Sequence, residues 1–196
     1  MKHSQSHFFA YLNRMRFIER WGLMYNIHTE NIQEHSHQVA AIAHILALLR
    51  NKYFDGNLNV ERCVVLALYH DMSEVITGDL PTPIKYFSPE IKKAYKEIEE
   101  VAHDRLLSFL PADLQAEFQS IFAPIPADKA HWEIVKAADK ISAYVKCQEE
   151  LKTGNQEFSH AADVIHEAIQ NLGLAEVDYF MEVFAPSVVL NLDELK

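Results

Sequence analysis

The chain has 196 residues, 49% of them hydrophobic and 23% charged, which is enough to bury a core and excludes a disordered or low-complexity segment. Five glycines and seven prolines argue against collagen-like and turn-rich all-β chains, and two cysteines cannot build a disulfide framework. A net charge of −10 disfavours polynucleotides and anionic membrane surfaces, while a small anion can still be held where a few Arg or Lys converge.

The hydrophobic pattern is helical almost throughout. Phe8, Leu12, Met15 and Ile18 predict a helix over residues 5–20, and a weakly patterned stretch, Trp21 to Glu30, follows. Asn31 to Glu34 is an N-cap with an acid at the third helical position. The helix it opens runs to about Arg50, with Val39, Ile42 and Leu46 on one face. Asp55-Gly56-Asn57 breaks the chain. A third helix is expected from Asn59 to Gly78, apolar nearly all round at its centre and so buried. The segment 79–89 holds three prolines and is expected to be a loop. Ser88-Pro89-Glu90 caps a charged helix over 89–109, and Pro111 opens a short one to Phe122. Pro124 and Pro126 mark a connection. Helices over 128–152, 158–172 and 175–184 complete the chain, and Thr153-Gly154-Asn155 stops the first of these. The expectation is an all-α fold: one domain over residues 1–196, a bundle of about seven or eight helices. No window approaches the ~18 apolar residues of a membrane helix, and the N-terminal segment lacks a signal-peptide core. The expected location is the cytoplasm, with reduced thiols at Cys63 and Cys147 in the core.

The residues that carry chemistry begin at His70-Asp71, with Glu74 close behind. Ionisable groups in an apolar helix are rarely buried unless paired or metal-bound. At 3.6 residues per turn, His70 and Glu74 share a face. The dipeptide alone is weak evidence, since His103-Asp104 repeats it on the charged helix, where it reads as a solvated surface pair. His35 lies on the stripe of Val39, Ile42 and Leu46 and points inward; His37, two residues on, is expected to be exposed. Asp139 borders the apolar stripe of its helix. Singly, His35 reads as a core histidine and Asp139 as an ion-pair partner of Lys136 or Lys140. Jointly, two imidazoles and two carboxylates suit Mn, Fe, Co, Ni, Cu or Zn.

The order His35, His70-Asp71, Asp139 resembles the signature of the HD-domain metal-dependent phosphohydrolases. The segments NRMRFIERWGLM, NIQEHSHQVA, LYHDMSEVITGDLPTPIKYF, KAADKISAYVKCQEEL and DYFMEVFAPS are similar to the bacterial HD-domain 5′-deoxynucleotidases, over residues 13 to 187. The resemblance implies hydrolysis of deoxyribonucleoside 5′-monophosphates to deoxynucleoside and phosphate, selective for deoxyribose; little base preference is expected because no sequence feature suggests a dedicated hydrogen-bonding set for one base edge. The resemblance also implies one divalent transition metal ion per subunit on His35, His70, Asp71 and Asp139, with cobalt the strongest activator and manganese or copper as alternatives, in a homodimer. Glu74 would be the acid/base residue, or would only orient the attacking water. Arg20 would orient the phosphate, Trp21 would lie against the sugar, and Asp79, Leu80, Pro81 and Thr82 would contact sugar and base, Asp79 at the 3′-hydroxyl. His35, Asp71 and Asp139 would border the substrate as well. Lys85 is left outside this set.

Two rivals stand beside this reading. Another HD-type reaction, on a triphosphate or a cyclic nucleotide, would call for several Lys and Arg around the pocket, and Arg20 stands nearly alone near the motif. A non-catalytic nucleotide sensor or helical scaffold has no need of Glu74.

Overall fold

Asn31 shows how closely local chemistry sets this fold. In the computed structural model, which describes residues 5–85, 87–123 and 125–195, its side-chain oxygen accepts the Gln33 and Glu34 N–H groups at 3.1 and 3.0 Å. Glu34 reaches back to the Asn31 N–H, completing the expected capping box. The helices are α1 (Phe8–Leu12), α2 (Ile32–Tyr53), α3 (Val60–Tyr69), α4 (Glu74–Thr77), α5 (Thr82–Lys85), α6 (Pro89–Leu107), α7 (Ala112–Phe122), α8 (Lys129–Lys152), α9 (Ser159–Gln170) and α10 (Ala175–Val183). No strand forms among the described residues; an isolated antiparallel bridge pairs Glu19 with Asn31. The fold is all-α, as expected, and no helix among the described residues is long and apolar enough to cross a membrane.

The chain gathers into two compact units. One comprises Met1–Met24, Thr29–Ser36 and Tyr69–Ile125; the other comprises Tyr25–His28, His37–Leu68 and Pro126–Lys196. The first unit is built on Phe8, Met15, Ile32, Met72, Leu106, Leu110 and Phe122, with Tyr11, Ile18, Tyr69 and Phe118 packed around them. Each fully buried side chain of this size contributes ~1.5–3 kcal/mol. Edge-to-face packing of Phe8 on Phe118 and stacking of Tyr11 on Phe109, both at 4.8 Å, fix the ring geometry.

The second unit centres on α8, whose Ile134, Val135, Ala138, Ile141 and Val145 are buried and which packs against α9. Its charges are matched internally. Arg50 pairs with Glu176, Arg62 makes a two-pronged contact with Asp128, and Glu150 is sealed at the C-terminal end of α8. Thr153 and Gly154, the latter at φ +92°, stop α8 where expected.

Four expectations are corrected. The first helix is shorter than predicted: α1 ends at Leu12, and Met15–Phe17 form one 3₁₀ turn before the chain extends at Ile18. The helix expected to run from Asn59 to Gly78 breaks at Tyr69. Residues 70–73 form turns, and Gly78, at φ +72°, ends the one-turn α4 instead. The segment 79–89 is not all loop, because α5 accommodates Pro83 in its first turn, where no N–H is needed. His103 is not a solvated surface residue: its ring stacks on Phe122 at 5.0 Å, and burial lowers its pKa, whereas Asp104 is exposed. Pro124 lies outside the described residues. His35, Cys63 and Cys147 are buried and His37 is exposed, as expected.

Candidate active site

The break at residues 70–73 builds the site. Met72 N–H donates to the Tyr69 carbonyl at 3.1 Å, and Glu74 N–H to the Asp71 carbonyl at 3.0 Å. Both are i to i−3 bonds, so the chain tightens where the two ionisable residues occur. His35 is presented from the first turn of α2, its N–H bonded to the Asn31 carbonyl at 3.0 Å. The capping box therefore fixes where the imidazole starts.

Both imidazoles converge on one carboxylate oxygen. His70 Nε2 stands 3.1 Å and His35 Nε2 3.5 Å from Asp71 Oδ2, and the ring centroids are 5.2 Å apart. One donor atom from each of the three residues lies within 4.8 Å of the others. Two imidazole nitrogens and a carboxylate oxygen this close, with His35 fully buried, could hold a metal ion, and nitrogen donors suit a divalent transition metal better than Ca²⁺ or Mg²⁺, which prefer all-oxygen shells. Burial acts against the Asp71 carboxylate, but His70, His35 and Arg20 outweigh it and hold its pKa below the usual range.

Glu74 is the opposite case. It opens α4, is buried, and its Oε2 has no hydrogen-bond partner among the described residues. Burial first, then the charges of Asp71 and Asp79, push its pKa up to about 10 against the pull of Arg20 and Lys85. Neighbouring carboxyls of opposite protonation preference are how a fold separates an acid from a ligand.

The remaining predicted residues divide as follows. Asp79, Leu80 and Pro81 follow Gly78 half-buried, and Thr82, exposed, opens α5. Burial raises the Asp79 pKa, while Arg20 and a hydrogen bond from the Trp21 backbone N–H restrain it. Arg20, Trp21 and Asp79 are thus part of one network. Asp139 is half-buried on α8, in the second unit.

Two residues enter that sequence reading left out. Lys85 Nζ pairs with Glu99 at 3.1 Å and sits 4.6 Å from the Tyr95 ring centre; its charge reaches Glu74 and Asp79. Glu30 accepts hydrogen bonds from both Arg20 and Trp21. No spacing rule joins Glu30 to Arg20, because a non-helical pairing of the segments around Glu19 and Asn31 brings them together.

The YfbR-like 5′-deoxynucleotidase family matches residues 7–188. A 5′-deoxynucleotidase of Vibrio atlanticus is 51% identical over 191 residues, covering 97% of this chain and 98% of its own. An HD-domain phosphohydrolase of Listeria innocua superposes with a TM-score of 0.82 at 23% identity, over 95% of this chain and 90% of that one. The HD phosphohydrolase DatZ of cyanophage S-2L, solved bound to dA and one catalytic Zn²⁺ ion, superposes with a TM-score of 0.64 at 21% identity, over 96% and 98% of the two chains. With the family matched along most of its length and half its residues shared with a 5′-deoxynucleotidase, the chain belongs to the YfbR-like 5′-deoxynucleotidases and is an enzyme of that kind.

Proposed function

We propose that the enzyme hydrolyses deoxyribonucleoside 5′-monophosphates, discriminating against ribose and showing little preference for the base. The observation that carries this reading is the convergence of His35 and His70 on Asp71, with a buried, proton-retaining Glu74 three residues further on. His35, His70 and Asp71 would hold a divalent transition ion, with Asp139 as the fourth ligand. When bound, the ion would acidify water and polarise a phosphoryl oxygen.

The side chains account for the rest. Arg20, whose guanidinium offers a planar fork of donors, grips the phosphate and offsets its charge. An oxygen–phosphorus bond forms from water as the bond to the 5′-oxygen breaks. Net, one proton passes from the attacking water to the leaving oxygen, and Glu74 carries it. Its buried carboxyl keeps a proton at neutral pH, the state a leaving alkoxide needs. Trp21 lies against the sugar, where a 2′-hydroxyl would lose its water without gaining a partner. Asp79 takes the 3′-hydroxyl, and Leu80, Pro81 and Thr82 wall the sugar and base. His35, Asp71 and Asp139 border the phosphate from the ligand side.

Cobalt as the strongest activator, with manganese or copper after it, and a homodimer in the cytoplasm complete the reading; these rest on the family resemblance.

The test is phosphate release by metal-stripped protein from dAMP, AMP and dATP, each with Co²⁺, Mn²⁺, Mg²⁺ or no addition. Release from dAMP but barely from AMP, only with a transition metal, is expected. Release from dATP alone would move the enzyme to triphosphate chemistry, and equal release from AMP would remove the sugar selectivity.

A further inference from the structure

Trp21 has a backbone that its side chain does not favour: φ is +60°, the left-handed region, which costs an L residue ~1–2 kcal/mol. A bulky residue stays there only when its surroundings hold it, and Glu30 is one of the residues that do so. Glu30 Oε2 accepts Trp21 Nε1–H at 3.1 Å and Arg20 Nη1–H at 3.2 Å. The Glu30 carbonyl accepts the Arg20 backbone N–H at 2.9 Å. The pairing continues on either side, with the Glu19–Asn31 bridge and the Ile32 N–H bonded to the Ile18 carbonyl at 3.0 Å. Met24 N–H closes the turn on the Trp21 carbonyl at 2.9 Å. The Glu30 and Arg20 side chains are both largely buried, at 13% and 14% exposed, so the contact is shielded from screening water.

We propose that Glu30 is the positioning residue for sugar discrimination and phosphate orientation: it fixes the indole of Trp21 and the guanidinium of Arg20 in one arrangement. The proposal rests on the roles given above to Arg20 and Trp21. One carboxylate oxygen shared by two donors sets two side chains at once. The indole plane is fixed because Nε1 lies at its edge, and Arg20 is fixed through its Nη1 bond, its charge still acting on Asp71 and Asp79. The Arg20 guanidinium carbon lies 5.9 Å from the Trp21 ring centre, so both groups serve one small volume. The backbone N–H of Trp21 is committed to Asp79, so a slackened indole would also loosen that contact.

Three variants separate this role from a merely structural one. Glu30→Ala is expected to raise KM for dAMP about tenfold, with kcat within about threefold of the parent, and to cut the dAMP-to-AMP ratio of kcat/KM at least fivefold. Glu30→Gln, which keeps an acceptor in place, is expected to restore most of that ratio. Glu30→Asp keeps the charge but withdraws the acceptor by one methylene; it is expected to lose selectivity partly and remains informative if the alanine variant does not fold. In ¹⁵N-labelled protein, the indole N–H signal of Trp21, assigned with Trp132→Phe, should move in E30A and E30D and stay in E30Q. A parent-like selectivity ratio in both E30A and E30D, an equal fall in kcat on both nucleotides with KM unchanged, or an unmoved Trp21 signal would each overturn the proposal. If the parent enzyme releases no phosphate from dAMP, the functional reading fails by itself, and the indole signal still decides whether Glu30 sets Trp21.

Discussion

The Glu74 amide donates to the Asp71 carbonyl at 3.0 Å, and the two carboxyls held next to each other by that turn are driven to opposite protonation states. Asp71 is kept ionised by the imidazoles and Arg20. Glu74, buried and facing two other acids, keeps its proton. Replacing Glu74 by Gln preserves shape and removes the transferable proton, so turnover should fall ~10²–10⁴-fold with metal affinity nearly unchanged. A loss under tenfold would leave Glu74 only orienting water. The stability sign is opposite. A carboxyl whose folded pKa lies above its unfolded one opposes folding increasingly as pH rises from about 4.5 toward about 10. Glu74→Gln should therefore raise the Tm of metal-stripped protein at pH 8 by a few degrees, for ~1–3 kcal/mol, and by less at pH 5. Thermal scans at the two pH values check this.

The donor cluster gives a second prediction. A ligand that binds only the folded state stabilises it by about 2.7 kcal/mol at a hundred times its Kd. Cobalt or manganese at that excess should raise the Tm of the stripped protein by several degrees, and His35→Ala, His70→Ala and Asp71→Ala should each abolish the shift together with turnover. Asp139→Ala is the discriminating variant. Loss of the shift makes it the fourth ligand, and a full shift with lost turnover confines it to the substrate. Calorimetric titration with the metal reads the same difference directly.

Some of this was legible in the chain and some was not, for physical reasons. Helix ends written in local chemistry read correctly: Asn31 with Glu34, Ser88 with Pro89, and Gly154 are each settled by a residue and its immediate neighbours. His35 read correctly because burial follows the helical period. The break at His70 did not read, because the run from Cys63 to Met72 is apolar nearly all round and holds no glycine or proline to mark the i to i−3 turn. His103 failed for a related reason: its partner Phe122 is remote in sequence. Glu30 carried no signal at all, since its two donors reach it through a pairing of extended segments inside an all-α chain.

Trp21 offers a test that separates backbone from side chain. Glycine enters the left-handed region freely, whereas alanine keeps the Cβ that opposes it. Trp21→Gly should therefore match or exceed Trp21→Ala in stability, by ~1 kcal/mol, although glycine normally weakens a chain through its unfolded state. Both should lose the sugar wall, and the preference for dAMP over AMP should fall about tenfold or more in each. Urea midpoints and paired kcat/KM values measure the two effects independently. A glycine variant clearly less stable than the alanine one would mean that the turn relaxes once the indole is gone.

The Glu150 cluster fixes the acid limit of the fold. Its carboxylate accepts the Ile27 and His28 N–H groups, both at 3.0 Å, the Asn155 amide at 2.8 Å and the Lys146 ammonium, which also donates to the His28 carbonyl. Burial works against this charge, but Lys146, Asn155 and the two backbone donors outweigh it and bring its pKa down to about 2. A depressed folded pKa stabilises fully above the unfolded value near 4.5 and is lost as pH falls through that value toward 2. The contribution is roughly 3 kcal/mol, so the urea midpoint should fall steeply between pH 5 and pH 3. The two partners should not be equivalent. Glu150→Leu strands a buried ammonium and two loop amides and should cost ~3–5 kcal/mol, while Lys146→Met leaves Glu150 three donors and should cost about half as much. The Glu150 variant should also lose the acid sensitivity that Lys146→Met retains in part, because the titrating group is then absent from both states. Equal costs for the two substitutions would show that the ion pair, not the capture of the 25–28 segment, dominates the cluster.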